Sequence, residues 1–291
     1  MFIHVDCDDL WVYRQDYRLP IPDEPSDSVY REALPRLMAL FDDVGVKATF
    51  FVVGRDVETG ATREFLQAAL QRGHAVANHS FSHSSTFGSA PLRERLDEVR
   101  RTHDEIGSAV NACPIGFRAP GYSFDTGLRD GLAQLGYRYD STSYPGCTPR
   151  AMSLVMRLKG SRKKLGASSR RVFGAMPNWY GDVPLPSDLV EIPILTPTPL
   201  RLPVHTTALF TLGKAYTRAL FETLKRTRPK GVFLVHAIDG LSVEDAPELK
   251  ILPTLAKPLP DRLAVIRNFL EVSRRHSPVT TVEACIAGSS R

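Results

Sequence analysis

No apolar run in this 291-residue chain approaches the roughly 18 residues of a membrane-spanning helix, so no such helix is expected. The N-terminus enters a strand-like pattern at once, Met1-Phe2-Ile3-His4-Val5-Asp6. It lacks a basic start followed by an apolar stretch, so no secretory leader is predicted. The four cysteines, Cys7, Cys113, Cys147 and Cys285, form no C-x-x-C pair. Their scatter speaks against a disulfide framework and predicts buried, reduced thiols in a cytoplasmic protein. Internal repeats and long low-complexity linkers are also missing. Most telling, no acidic residue occurs between Ser141 and Gly181, where Arg150, Arg157, Lys159, Arg162, Lys163, Lys164, Arg170 and Arg171 supply eight cations. Removing those eight charges from the net +5 leaves −3, so the basic character belongs to one segment and not to the scaffold.

What is present fits one domain, residues 1–291, with a basic insertion at about 141–183. Hydrophobic residues make up 43% and charged residues 24%, an ordinary balance for a globular chain able to bury a large core. Strand-like and helix-like patterns alternate. Phe2–Asp6 and Lys47–Val53 are short apolar runs of the buried parallel kind. Ser28–Val44 carries Leu34, Leu37, Met38, Leu40 and Phe41 at helical spacing and stops at Gly45. Helices are predicted over Thr62–Gln71, Leu92–Ile106, Asp125–Leu135, Lys214–Thr227 and Asp261–Arg275. Further strands are predicted at His74–Ala77, Ile115–Phe117, Tyr137–Tyr139, Leu189–Ile192 and Gly231–Val235, with Val279–Val282 closing the series. Repeated βα units predict an α/β fold, a parallel sheet curled into a barrel, whose chemistry sits at the C-terminal strand ends. Asp6, His79, Arg118 and His236 fall there.

His79-Ser80-Phe81-Ser82-His83 places two histidines within reach of one ion. With a nearby carboxylate they would form a three-ligand set with an open position, the pattern of a catalytic zinc site. On a strand, Asp6 and Asp8 share a face while Cys7 points away, and a second carboxylate could act as general base. The bland alternatives are an acidic turn after an edge strand and a histidine pair on a polar loop. Arg118, in Gly116-Phe117-Arg118-Ala119-Pro120-Gly121-Tyr122, needs a carboxylate if buried, and Asp6 would serve. His236 ends the apolar run Val232–His236 and by itself reads equally as a core histidine.

Taken in order, D-x-D, H-S-x-x-H, R-x-P and an apolar strand ending in His resemble the polysaccharide deacetylase (NodB-type) family over Phe2 to about Val282. The resemblance implies a distorted (β/α)-barrel that hydrolyses the N-acyl group of amino sugars. It implies Asp6 as base; Asp8, His79 and His83 as metal ligands; Arg118 holding the base; and His236 as general acid. Leu234 would line the acyl pocket, with Pro120 and Tyr122 also facing substrate. Zinc suits the donor set, and cobalt, nickel and iron also fit. The chain departs from the commonest form of the family. Its first motif is V-D-C-D-D, which leaves an Asp8/Asp9 pairing open. The motif tyrosine is displaced by Gly121 to Tyr122, and Leu189-Val190-Glu191-Ile192-Pro193 stands where a tryptophan motif is usual.

The segment Gly231–Gly240, ending His236-Ala237-Ile238-Asp239-Gly240, is similar to the branch acting on undecaprenyl-phosphate-linked amino sugars, deformylases or deacetylases in envelope glycolipid (lipid A) modification. That branch implies work at the inner face of the cytoplasmic membrane. The apolar residues Leu154, Val155, Met156 and Leu158 among the cations suit an anionic membrane surface, bound through residues 150–171. A solvated arm is the rival reading. A nucleic-acid partner is not expected, because no aromatic stacking platform accompanies the charges. The rival functions are a cytoplasmic amidohydrolase on a small non-sugar amide and an inactive sugar- or lipid-binding relative.

Overall fold

The computed structural model describes residues 1–17, 19–21, 26–122, 126–144, 189–196, 204–227, 231–252 and 254–289. Among the described residues, seven parallel strands form one sheet, with helices packed around it. The strands are β1 (Phe2–Cys7), β2 (Thr49–Val52), β3 (Ala75–Asn78), β4 (Gly116–Phe117), β5 (Tyr139–Asp140), β6 (Val190–Glu191) and β7 (Val232–His236). Their spatial order is β6-β5-β4-β3-β2-β1-β7. Just past β6 the chain crosses to the other edge: Leu195 N–H donates to Val232 O at 2.9 Å and Val232 N–H to Pro193 O at 3.0 Å. The sheet therefore curls until its edges meet, as expected for a (β/α)-barrel. β1 and its neighbour β2 are buried on both faces, which is why Phe2–Cys7 and Thr49–Val52 read as largely apolar runs.

Around the sheet lie α1 (Leu10–Tyr17), α2 (Leu34–Val44), α3 (Gly60–Gln71), α4 (Leu92–Val110), α5 (Thr126–Gln134), α6 (Thr206–Thr227), α7 (Leu259–His276) and α8 (Val282–Ser289). α2 buries Leu34, Leu37, Met38, Leu40, Phe41 and Val44, the stripe read from the sequence, and Gly45 ends it in the left-handed conformation with φ 72. α3 starts two residues earlier than predicted because Thr59 caps it, its hydroxyl accepting from Thr62 N–H at 3.2 Å. α6 reaches back to Thr206, broken at Gly213, whose φ of 80 lets two helical pieces meet.

Three expectations need correcting. The segment Val279–Val282 forms no strand: the chain enters helix α8 at Val282, and the sheet is already complete without it. The sequence pattern does not predict helix α1, since Leu10–Tyr17 offers only Leu10, Val12 and Tyr13 as a buried face and little amphipathic signal. Of the cysteines, Cys7 is buried as expected, but Cys113 and Cys285 are exposed, one in the turn after α4 and the other on outer helix α8. Cys147 and the eight cations Arg150 to Arg171 lie outside the described residues.

Candidate active site

Parallel pairing fixes which side chains converge. Asp6 lies opposite His236 on β7 and opposite Phe51 on β2, while Asn78, at the end of β3, lies opposite Phe117 of β4. The residues that follow these strand ends, Asp8, His79 and Arg118, are thereby brought to one end of the barrel.

Asp8, His79 and His83 meet there, with ligand atoms all within 4.8 Å of one another. Asp8 Oδ1 is 3.6 Å from His79 Nε2 and 3.3 Å from His83 Nε2. A tetrahedral ion with bonds of about 2.1 Å has donor–donor edges of about 3.4 Å, so this spacing fits a divalent cation. His79 Nδ1 is 2.8 Å from the carbonyl of Arg118. Donation to that carbonyl puts the ring proton on Nδ1 and leaves the Nε2 lone pair facing Asp8. Burial holds the His79 pKa below its ordinary value, which keeps the ring neutral and competent as a ligand. The donor set thus fits the metal that the motifs imply. Asp9 does not join it. Asp9 accepts the Leu10 N–H at the start of α1, and burial away from water pushes its carboxyl up to about 7.

Arg118 is fully buried and spends its donors on a planned set of partners. Its Nε donates to Ser141 O at 2.9 Å, one terminal nitrogen to Asp6, and the other to His4 Nδ1 and Ser141 Oγ, both at 2.8 Å. The guanidinium also lies over the Phe51 ring, 4.3 Å from its centroid. Burial alone would raise the Asp6 pKa; the charge of Arg118, helped by His79 and His236, overcomes it and holds the carboxyl below the usual range. Asp6 is therefore a buried, ionised carboxylate beside the three-residue cluster and outside it.

His236 ends β7, and its Nδ1 is buried with no partner among the described residues. The following turn is tightly held. Asp239 accepts the His236 N–H at 2.9 Å and the Thr206 hydroxyl. Arg262, fully buried, donates to the carbonyls of Ile238 at 3.1 Å, Asp239 at 2.7 Å and Leu241. A Cβ on Gly240 would lie 2.4 Å from the backbone carbonyl oxygen of Ala33, so that position has no room for a side chain. Gly240→Ala should destabilise the protein by about 1–3 kcal/mol. A denaturation midpoint unchanged from wild type would show that the helical turn Val29–Ala33, just before α2, can move aside.

Of the other predicted site residues, Pro120 is buried in the turn after Arg118. Tyr122 adopts a left-handed backbone, φ 57, and stacks on Tyr144 with centroids 5.3 Å apart. Leu234 is fully covered, clustered with Ile194 and Val232, and Tyr122 and Tyr144 pack against that cluster. Sequence reasoning missed several participants. His4 shares strand parity with Asp6, and that was the available signal. Tyr13 on α1 is buried with its hydroxyl unpartnered among the described residues, and burial near Asp8 and Asp239 pushes the phenol well up. His205 lies edge-on to His236, centroids 6.4 Å apart, and burial brings its pKa down to about 3. No local pattern marked either residue.

The model of the polysaccharide deacetylase family matches residues 25–139. Over 175 residues, 59% of this chain, the sequence is 27% identical to the peptidoglycan deacetylase of Helicobacter pylori. The match covers 56% of that relative, so the chain spans little more than half of its length. Among solved structures, a Mycobacterium smegmatis protein assigned as a polysaccharide deacetylase superposes with a TM-score of 0.60 at 17% identity, covering 98% of this chain and 87% of the other. Peptidoglycan deacetylase PdaC from Bacillus subtilis gives 0.50 at 13% identity, covering 99% and 90%. At such identities the structural likeness shows the NodB-type barrel fold alone. Parts of this chain are thus similar to polysaccharide deacetylases in sequence, and the solved structures share its fold. No helix among the described residues is long and apolar enough to cross a membrane.

Proposed function

We propose that this chain is a metal-dependent hydrolase that removes the N-acyl group of an amino sugar. One observation carries the reading: a three-ligand cluster of Asp8, His79 and His83 beside a separate carboxylate, Asp6, kept ionised by a buried arginine. A divalent ion held by the cluster would polarise the acyl carbonyl and make water acidic enough to lose a proton near neutral pH. Asp6 accepts that proton as the water oxygen attacks the carbonyl carbon. Arg118 keeps Asp6 oriented and charged throughout. His236, its neighbour across the β1–β7 pair, protonates the amine nitrogen as the C–N bond breaks.

Two substrate classes follow from different observations. The likeness to the Helicobacter pylori protein favours an N-acetylated glycan strand. The cation-rich, apolar-interleaved segment between Ser141 and Gly181 favours a polyprenyl-phosphate-linked amino sugar met at an anionic membrane surface. Release of acetate or formate from glycan oligomers, from a lipid-linked amino sugar and from soluble amides would separate them. Hydrolysis of only the soluble non-sugar amides would overturn the sugar reading. Hydrolysis of none by the metal-loaded protein would point to a binding relative.

The membrane arm has its own test. Exposed charge is screened over about 8 Å at physiological salt, so binding to anionic vesicles should fall steeply as salt rises. Replacing Arg162, Lys163 and Lys164 with Gln should weaken that binding and leave hydrolysis of a short soluble substrate unchanged. Equal vesicle binding by wild type and the triple variant at low salt would return the segment to a solvated arm.

A further inference from the structure

The loop that carries His79 and His83 has no glycine between them, yet its backbone is left-handed at Ser80, φ 64, and at His83, φ 43. Such backbone is unfavourable for residues with a Cβ and persists only where the surroundings hold it. Asn78 Oδ1 accepts the Ser80 N–H at 2.9 Å, and the Asn78 side-chain nitrogen is itself anchored to Val99 O at 2.9 Å and the Tyr137 hydroxyl at 2.6 Å. Gly54 N–H donates to Ser80 O at 2.9 Å, and Arg55 N–H to Phe81 O at 3.0 Å. The other side of the loop is held by one atom of one side chain. Glu98 Oε2 accepts the Phe81 N–H at 3.0 Å, the Ser82 N–H at 2.7 Å and the Ser82 hydroxyl at 3.0 Å.

We infer that Glu98, on the second turn of α4, is a positioning residue for the metal site. It touches neither the ligand cluster nor substrate. It binds the two residues between Ser80 and His83 and so sets the direction in which His83 leaves the loop. Three hydrogen bonds to a carboxylate are charge-assisted and stronger than neutral ones, which suits a clamp on strained backbone. The neighbouring packing leaves the loop little freedom to re-form elsewhere. Arg101 lies over the Phe81 ring, 3.4 Å from its centroid, and a Cβ on Gly54 would come within 2.3 Å of Thr102 Oγ1 and 2.8 Å of Phe81. Without Glu98 the two N–H groups lose their acceptor while the ring stays wedged, so the loop relaxes at its free end, where His83 sits.

The inference rests on the reading of Asp8, His79 and His83 as a metal site, and the experiment keeps the two apart. Zinc affinity is measured by competition with a chromophoric chelator for wild type, Glu98→Ala, Glu98→Gln and Ser82→Ala, alongside the melting temperature of each metal-free protein. Glu98→Ala should weaken zinc binding by about 10- to 100-fold, the range seen when the supports of metal ligands are removed. Glu98→Gln keeps an acceptor oxygen for the two N–H groups and should recover most of the affinity. Ser82→Ala removes only the hydroxyl bond and should lie close to wild type. If Glu98→Ala loses melting temperature but binds zinc as tightly as wild type, Glu98 is only a structural tie and the inference falls. Should Glu98→Ala fail to fold, Glu98→Gln and Ser82→Ala decide: affinities no better than that of His83→Ala would overturn the graded clamp. If wild type binds no zinc, cobalt, nickel or iron, the metal reading itself has failed.

Discussion

Asp6→Asn is expected to keep its full metal content and to lose about two to four orders of magnitude in kcat, the usual contribution of a positioned general base. The substitution changes few atoms, and the amide oxygen can still accept from Arg118, so the fold survives. The amide cannot take a proton from water. Asp6 also lies outside the ligand cluster, so the ion has no reason to leave. The same geometry predicts the pH profile. Arg118 keeps the Asp6 carboxyl below the ordinary value near 4, so the base should stay ionised until the solution is more acidic than about pH 4. An acid limb set by Asp6 in the neutral range would contradict that placement. Metal analysis with single-turnover kinetics makes the main test. Lost metal together with lost activity would make Asp6 a ligand, and unchanged kcat would remove it from the chemistry.

The second large effect concerns the cluster. His79→Ala and His83→Ala should each bring bound metal to background and abolish turnover, because two remaining donors hold a divalent ion poorly. Asp8→Asn should weaken binding through loss of the anionic ligand, whereas Asp9→Asn should leave it nearly unchanged. Asp9 accepts the Leu10 N–H at the first turn of α1 and is not one of the three residues whose ligand atoms come together. Metal lost from Asp9→Asn and kept by Asp8→Asn would reverse the assignment. Elemental analysis of the four purified variants decides it.

Strand parity makes much of this cluster legible in the sequence. Asp6 and Asp8 sit two apart on an extended run, and His79, Arg118 and His236 each follow or end an apolar run. In a parallel barrel those positions collect at one end. Parity could not say where β1 stops being extended. That point decides whether Asp8 or Asp9 turns toward the histidines, and the start of α1 at Leu10 sets it through the bond to Asp9. Glu98 and Tyr13 left no trace in local pattern. Glu98 reads as one more charge on a charged helix, and Tyr13 lies on a helix without a marked stripe. The predicted last strand failed for a related reason. Val279, Thr280, Thr281 and Val282 carry strand propensity, but propensity is local, and the sheet had already closed.

By itself the sequence determined the alternation of buried strands and covering helices, because an apolar run of four to six residues between helical stripes has few other ways to bury both faces. It also determined which residue types stand at strand ends, and hence the class of chemistry they can support. Tertiary structure alone decided that Arg118, distant in sequence, meets Asp6, that Asp8 and not Asp9 faces His79 and His83, and that one carboxylate on α4 holds a strained loop in place. Those outcomes depend on register and on how closely helices approach the sheet. Such quantities are set by the packing of the whole core, and no short stretch of the chain contains them.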